Sequence, residues 1–289
     1  MILQNTYKRT IEKYSAFKVL DSQCSDFPSE KYSKFKFGSN DIAREFGYAL
    51  AERFINQQFK FSYDGEPIIV YPSAYSHIPT ASYFMTVHFI DKLNQYMYQN
   101  GYSPVETGKI HRSVTYREDY GEMNAEERYN LIKGDKFHID AELLKNKTLI
   151  FIDDIKITGT HERIIVKMLD DFGIHNHCYM LYYAELYDES ICPKVENYLN
   201  HKYVKNISDL NLIVKQDDFK FNTRIVKYIL NTNHEQCVEF LKCQSNSFID
   251  KLYNNALGNE YYKFPEYMSN LLEIENLICI GNNIEINRI

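Results

Sequence analysis

The spacing of apolar residues divides the chain into a mainly helical first part, a central part in which strands and helices alternate, and a mainly helical last part. In the first part, Ile42, Phe46 and Leu50 recur at helical spacing after Ser39, whose hydroxyl can cap a helix. The last part carries similar helical patterns, for example at 219–230 and 235–257. These shifts predict three regions, which span residues 1–66, 67–187 and 188–289.

The central region alternates between short apolar runs and amphipathic stretches. The pattern predicts strands at 67–71, 149–152 and 178–184, and helices from near 79 to 101 and from 161 to 172. Strands separated by amphipathic helices are typical of a parallel sheet that is covered on both faces. We therefore predict an α/β fold with helical additions at its N- and C-terminal ends.

Composition then narrows the class of protein. Apolar residues make up 44% and charged residues 25% of the 289 residues, as in ordinary soluble globular proteins. The net charge of −6 disfavours general binding to nucleic acid, because that binding depends on neutralising phosphates. The first residues lack the apolar stretch of a signal peptide, and no run is long enough to span a bilayer. Together with six scattered cysteines and no CxxC motif, this predicts a cytoplasmic protein without membrane contact.

One segment, at residues 147–162, combines several chemical signals. An apolar run leads into Asp153 and Asp154, and a loop with the sequence Thr158-Gly159-Thr160 then precedes a helix. In parallel sheets, ligands bind beyond the carboxyl ends of the strands, and the loop amides with the helix N-terminus suit a phosphate monoester. Two carboxylates suit ribose hydroxyls or a hydrated Mg²⁺. An acid pair alone would equally fit a turn or a helix cap, but the combination favours a sugar-phosphate site.

This segment resembles the 5-phosphoribosyl-1-pyrophosphate (PRPP) signature of type I phosphoribosyltransferases, and it is most similar to that of orotate phosphoribosyltransferase-like members. The resemblance extends over about 67–186. The loop at 72–77 lies where the family has its pyrophosphate loop, and the charged stretch at 109–138 lies where the family has a mobile loop. Each of these two stretches also fits an ordinary surface loop. Lys156, Ile157 and His161 depart from the family pattern.

The resemblance implies an enzyme that transfers a 5-phosphoribosyl group from Mg·PRPP to a nitrogen nucleophile, usually on a nucleobase, and releases pyrophosphate. It implies Mg²⁺ as cofactor and small molecules as binding partners, and it is compatible with a homodimer. By this resemblance, the ribose hydroxyls are held, directly or through Mg²⁺ and its water, by Asp153 and Asp154. The 5-phosphate is surrounded by Thr158, Gly159, Thr160 and His161, and pyrophosphate is contacted by Ser73, Ala74 and Tyr75. The cations of the mobile loop would be Arg112, Arg117, Lys133 and Lys136.

The residues leave other functions open. Because of the departures from the family pattern, the same site would also suit a non-catalytic regulatory module that binds PRPP or a nucleotide. The helical regions could instead make the protein an interaction module with a relic core. The sequence does not indicate the acceptor, because the resemblance implies that base specificity is set by a variable hood and by loops outside the signature; the N-terminal region could form that hood.

Overall fold

A parallel β-sheet forms the centre of the structure, a computed structural model that describes residues 9–20, 24, 26–112, 137–138, 142–187 and 192–286. For residues 137–138 and 280–286 it describes the backbone alone. The strands are β1 (Ile11–Val19), β2 (Ile68–Pro72), β3 (Glu106–Thr107), β4 (His111–Arg112), β5 (Phe137–His138), β6 (Thr148–Lys156) and β7 (Cys178–Leu186). Within the described residues, five strands form one sheet in the order β1-β7-β6-β2-β3, and all neighbours in it are parallel. The other two, β4 and β5, pair with each other and are antiparallel.

Helices surround this sheet and continue beyond it toward the C-terminus. They are α1 (Ser29–Lys36), α2 (Asn40–Phe54), α3 (Lys60–Ser62), α4 (Ala81–Gln99), α5 (Thr160–Asp171), α6 (Val195–Asn200), α7 (Asn211–Val214), α8 (Thr223–Asn231), α9 (His234–Lys242), α10 (Asn246–Gly258) and α11 (Pro265–Ile286). A π-helical turn at Ile55–Phe59 joins α2 to α3. Short 3-10 turns lie at Glu142–Leu144, Ile207–Leu210 and Tyr261–Lys263.

The two faces of the sheet are covered by different helices, because consecutive residues of a strand point to opposite faces. On one face, Ile152 of β6 joins a core with Phe46 of α2 and Phe89 of α4. On the other face, Phe151 joins a separate core with Leu169 of α5. The sheet is therefore the middle layer of three, as expected for parallel strands.

The C-terminal helices build a third core. Its buried residues include Ile229, Leu241 and Leu252, which are fully inaccessible to solvent. Phe37, which follows α1, and Ile78, in the loop after β2, are buried in the same core. The C-terminal helices are thus packed directly against the loop at the carboxyl end of β2. In the part of the chain that the structure describes, no helix is both long and apolar enough to cross a bilayer.

The predicted α/β fold with a parallel sheet is confirmed, and the sheet contains two strands that the sequence did not predict, β1 and the two-residue β3. β1 lies in the N-terminal region, at the edge of the sheet, and pairs with β7. Edge strands carry polar residues on their uncovered side, and β1 includes Glu12, Lys13 and Lys18. It therefore lacks the continuous apolar run that identifies β6 and β7.

The helical pattern at 235–257 is two helices rather than one. The Ser245 hydroxyl accepts a hydrogen bond from the backbone N–H of Phe248, 3.2 Å away, and so caps the start of α10. Side-chain oxygens at this position compete with helix continuation, which explains the break.

The packing around Phe46 gives a test of this fold. Phe46 is fully buried and its ring stacks on that of Tyr183, with centroids 4.0 Å apart. We expect Phe46→Ala to lower the free energy of unfolding by about 3–5 kcal/mol, measured by urea denaturation followed by circular dichroism. Phe61, a residue that is 75% exposed, is the matched control, and Phe61→Ala should change that free energy by less than about 0.5 kcal/mol. Equal losses in both variants would contradict the packing.

Candidate active site

The site is built where β6 extends past its neighbour β2. Pairing between them ends at Pro72 and Ile152, whereas pairing between β6 and β7 continues to Lys156. The sequence analysis ended the strand at Ile152, so the structure places Asp153 and Asp154 inside β6 rather than after it. Because these two residues are consecutive in a strand, their side chains point to opposite faces of the sheet.

Asp153 points to the face that carries the loop before α5. Its Oδ1 accepts hydrogen bonds from the Ser73 hydroxyl at 2.7 Å and from the backbone N–H of Asp154 at 2.9 Å. Its Oδ2 lies 2.9 Å from Nδ1 of His161. Burial raises the pKa of Asp153, but the hydrogen bonds from His161 and Ser73 and the charge of Lys36 outweigh burial and bring this pKa down to about 2. The carboxyl group is therefore ionised at neutral pH.

Asp154 points to the opposite face, where α1 covers the sheet. Its Oδ2 accepts hydrogen bonds from the Tyr32 hydroxyl at 3.0 Å and from the Lys36 ammonium. Its Oδ1 accepts one from the backbone N–H of Ile155 at 3.0 Å. The side chains of Lys36 and Asp154 are only 11% and 7% exposed, so this is a buried ion pair. Burial raises the pKa of Asp154, and the Lys36 charge opposes that effect.

The loop after β6 turns sharply at Gly159. Gly159 has a φ of +65°, in the left-handed region that glycine adopts without strain, and α5 begins at the next residue. The hydroxyls of Thr158 and Thr160 lie 2.7 Å apart. Within the described residues, the backbone N–H groups of Thr158, Gly159 and Thr160 make no hydrogen bond. Three donors at a helix N-terminus are thus available to an anion.

Arg163 braces this loop from the first turn of α5. Its guanidinium donates to the carbonyl oxygen of Thr158 at 3.0 Å and to Oγ1 of Thr160 at 2.9 Å. Its positive charge adds to that of the helix N-terminus. The sequence analysis did not single out Arg163, although a cation one turn after the glycine was visible in the sequence.

The side chain of Lys156 lies beside Gly159 and reaches Glu162 in the first turn of α5. Its Nζ lies 3.0 Å from one carboxylate oxygen of Glu162, and Lys13 binds the other. Burial raises the pKa of Glu162, but its hydrogen bonds with Lys13 and Lys156 outweigh this and leave the pKa below its usual value. Lys156, which departs from the family pattern, is therefore part of an ion-pair cluster beside the loop.

The loop at the end of β2 reaches the same place. The Ser73 hydroxyl lies 2.6 Å from that of Ser82 as well as 2.7 Å from Asp153, so it links the start of α4 to the acid. The backbone N–H of Ala74 makes no hydrogen bond within the described residues. The backbone of Tyr75 is engaged, since its N–H donates to Ile110 and its carbonyl oxygen accepts from Arg112.

A residue of the C-terminal region holds the rest of this loop. Oδ1 of Asn259, which is 1% exposed, accepts hydrogen bonds from the backbone N–H groups of His77 and Ile78, each at 3.0 Å. Its Nδ2 donates to the hydroxyl of Tyr261 at 3.0 Å. Two amides of the loop are therefore satisfied by one buried side chain that lies far away in sequence.

Of the four cations predicted for the mobile loop, the structure describes one, Arg112. Arg117, Lys133 and Lys136 lie outside the described residues. Arg112 lies in β4 and close to Tyr261: burial raises the pKa of that tyrosine, and the Arg112 charge opposes the rise. The pairing of β4 with β5 brings together the two ends of the charged stretch.

The acid pair does not form a metal site of its own. Mg²⁺ takes about six oxygen ligands, whereas the two carboxylates point to opposite faces of β6 and cannot converge on one ion, and all four of their oxygens form hydrogen bonds within the protein. Among the described residues, no three His, Cys, Asp or Glu side chains are grouped closely enough to share a metal ion. Asp154 does not fit a metal ion because an ammonium group occupies that position. Asp153, whose side chain is 16% exposed beside the half-exposed His161, is the acid of the pair that a hydrated metal ion could reach.

Lys36, Tyr32 and Asn259 are site residues that the sequence analysis missed. Lys36 is 118 residues from its partner Asp154, and its surroundings in the sequence look like any polar helix end. No local pattern could have identified it, because the contact exists only once α1 has packed on the sheet.

The low pKa of Asp153 predicts acid sensitivity. Because its pKa in the folded protein is about 2 and its ordinary value is 3.8, ionised Asp153 stabilises the fold above about pH 4 and loses this effect as the pH falls toward 2. Urea denaturation across this range should show the free energy of unfolding, relative to that of Asp153→Asn, shrinking by about 2 kcal/mol. Parallel pH profiles for the two proteins would contradict the assignment.

Comparison with known proteins complements this geometry. The family model for ComF-like phosphoribosyltransferases (PRTases) matches residues 11–274. Among solved structures, the hypoxanthine phosphoribosyltransferase of Staphylococcus aureus is 15% identical over 49% of this chain and 73% of that chain, with a TM-score of 0.31. A variant of the Trypanosoma cruzi hypoxanthine phosphoribosyltransferase, solved with the product IMP, is 12% identical over 52% of this chain and 79% of that chain, also with a TM-score of 0.31. The curated proteins contain no match.

The family match extends from β1 into α11 and so includes both the sheet and most of the C-terminal helices. The nearer likeness to orotate phosphoribosyltransferases stays a prediction. The parallel sheet and the extent of the match lead to one assignment: the chain belongs to the ComF-like family of type I phosphoribosyltransferases.

Proposed function

We propose that the protein transfers a 5-phosphoribosyl group from Mg·PRPP to a nitrogen nucleophile, in the first instance a nucleobase, and releases pyrophosphate. The observation that carries this proposal is the set of three unused amides at Thr158, Gly159 and Thr160 beside the ionised carboxylate of Asp153. An anion site and a carboxylate at the end of one strand match the two ends of a ribose 5-phosphate. The metal ion arrives as part of the substrate.

The 5-phosphate binds in the loop before α5. The N-terminus of this helix and the guanidinium of Arg163 make the loop electropositive, and the hydroxyls of Thr158 and Thr160 can donate to phosphate oxygens. His161 is the first residue after this cradle, and its side chain is 45% exposed.

Asp153 holds the ribose. Its Oδ1 is fixed by Ser73 and by the strand backbone, whereas the hydrogen-bond partner of its Oδ2 among the described residues is the imidazole of His161. A ribose hydroxyl would replace His161 at Oδ2, which frees the imidazole to turn toward the phosphate. The loop from Ser73 to Tyr75 lies next to Asp153, on the side where pyrophosphate would leave.

The reaction requires charge stabilisation more than covalent help. The bond between the acceptor nitrogen and ribose C1 forms while the bond from C1 to pyrophosphate breaks; the bonding electrons leave with pyrophosphate, and the acceptor proton is lost to solvent. Positive charge develops on the ribose in the transition state. A preorganised, ionised Asp153 stabilises that charge without reorganisation.

A second candidate function is the non-catalytic binding of PRPP or a nucleotide as a regulatory signal. The observation that favours it is the commitment of Asp154 to Lys36, which leaves a single carboxylate of the pair on the ligand side. The two functions share the phosphate site and differ only in turnover.

The two glycines that flank α5 provide a test of the phosphate site. Gly159 and Gly173 begin and end this helix with nearly the same φ, +65° and +63°, so alanine at either position should cost about 1 kcal/mol of stability. We expect Gly159→Ala to weaken the binding of ribose 5-phosphate and of Mg·PRPP at least tenfold in calorimetry, and Gly173→Ala to leave both unchanged. Equal affinities in the two variants, or no binding by the wild type, would refute the site.

Turnover separates the two functions. Pyrophosphate release from Mg·PRPP with a panel of nucleobases, abolished in Asp153→Asn while ribose 5-phosphate still binds, supports the transferase. Binding without pyrophosphate release across the whole panel supports the regulatory module.

A further inference from the structure

Asp154, the second acid of the signature, forms an ion pair with Lys36. We propose that the ammonium group of Lys36 takes the place of a divalent cation at Asp154. This carboxylate then supports the site from the opposite face of the sheet, and a metal ion can approach only from the side of Asp153. The inference rests on the proposed function for the role of Asp153, but its test requires neither turnover nor PRPP.

Asp154 is closed off from solvent. The residue is 5% exposed, and Tyr32, Lys36 and the N–H of Ile155 together occupy both of its oxygens. A buried carboxylate without a partner is very costly, and here the partner is a lysine whose side chain is itself 11% exposed. The charge of Asp154 is therefore neutralised inside the protein.

Lys36 is held in place from two directions. Its backbone carbonyl accepts a hydrogen bond from Nδ2 of Asn222, at 3.1 Å, and Asn222 is fully buried at the start of α8. Its ammonium group lies 5.4 Å from the ring centre of Tyr32. The lysine belongs to the N-terminal region and its anchor to the C-terminal helices, so both additions to the sheet fix this cation.

Lys36 also acts on the neighbouring acid, Asp153. Two adjacent carboxylates repel each other, and the Asp153 charge raises the pKa of Asp154. Lys36 opposes this and also lowers the pKa of Asp153. With Lys36 in place, the pair keeps one net negative charge, on the side where we place the ribose. A second cation at Asp154 would have to displace the ammonium group or lie against it.

A cycle of neutral variants tests the pairing. Lys36→Met and Asp154→Asn each leave one buried charge alone, and each should lower the melting temperature by about 10 °C. The double variant should recover most of this loss, because it leaves neither charge behind. Lys31→Met, on the same helix, removes a lysine whose pair with Glu45 is half-exposed, and it should shift the melting temperature by less than about 2 °C.

Binding of Mn²⁺ alone, without nucleotide, tests the replacement itself. We expect Lys36→Met to bind Mn²⁺ at least tenfold more tightly than the wild type, by electron paramagnetic resonance, and to be stabilised by it. The wild type and the double variant should bind Mn²⁺ equally weakly. A wild type that binds Mn²⁺ tightly and loses this in the double variant would overturn the proposal, as would a Lys36→Met variant without any gain. If neither single variant folds, the wild type and double variant still decide the question.

Discussion

The site depends on the extension of β6 past the end of β2. Those extra residues stay extended because β7 continues to pair with them up to Lys156. An extended chain alternates its side chains, so the two acids of the signature cannot face the same ligand. Asp153 contacts Ser73 after β2 and His161 in the first turn of α5, and Asp154 contacts α1 on the other face. The division of roles between two chemically identical side chains thus follows from backbone geometry alone.

Much of the fold was readable from the sequence, and the limits have physical causes. The buried strands can be recognised in the sequence as continuous apolar runs, since both of their faces are covered. The end of β6 was not readable, because it is decided by a neighbour that follows more than twenty residues later. β1 was missed for a related reason: an edge strand carries charged residues, and only its pairing with β7 shows what it is.

The candidate site divides in the same way. The loop from Thr158 to Thr160 could be found because its chemistry is contiguous in sequence, and glycine marks the turn. Lys36 and Asn259 could not be found, because each acts on the site from a distant part of the chain. Their residue types are common at helix ends, so only the folded chain distinguishes them from ordinary surface residues. The roles of the mobile-loop cations Arg117, Lys133 and Lys136 stay predictions.

The contact between Asn259 and the loop after β2 also constrains how the chain can vary in length. Asn259 immediately follows α10, so its direction is set by the rotation of that helix, about 100° for every residue. Adding or removing one residue within α10 would swing the carboxamide away from His77 and Ile78 and leave two buried amides without an acceptor. The register of a C-terminal helix is therefore coupled to the shape of a loop about 180 residues earlier.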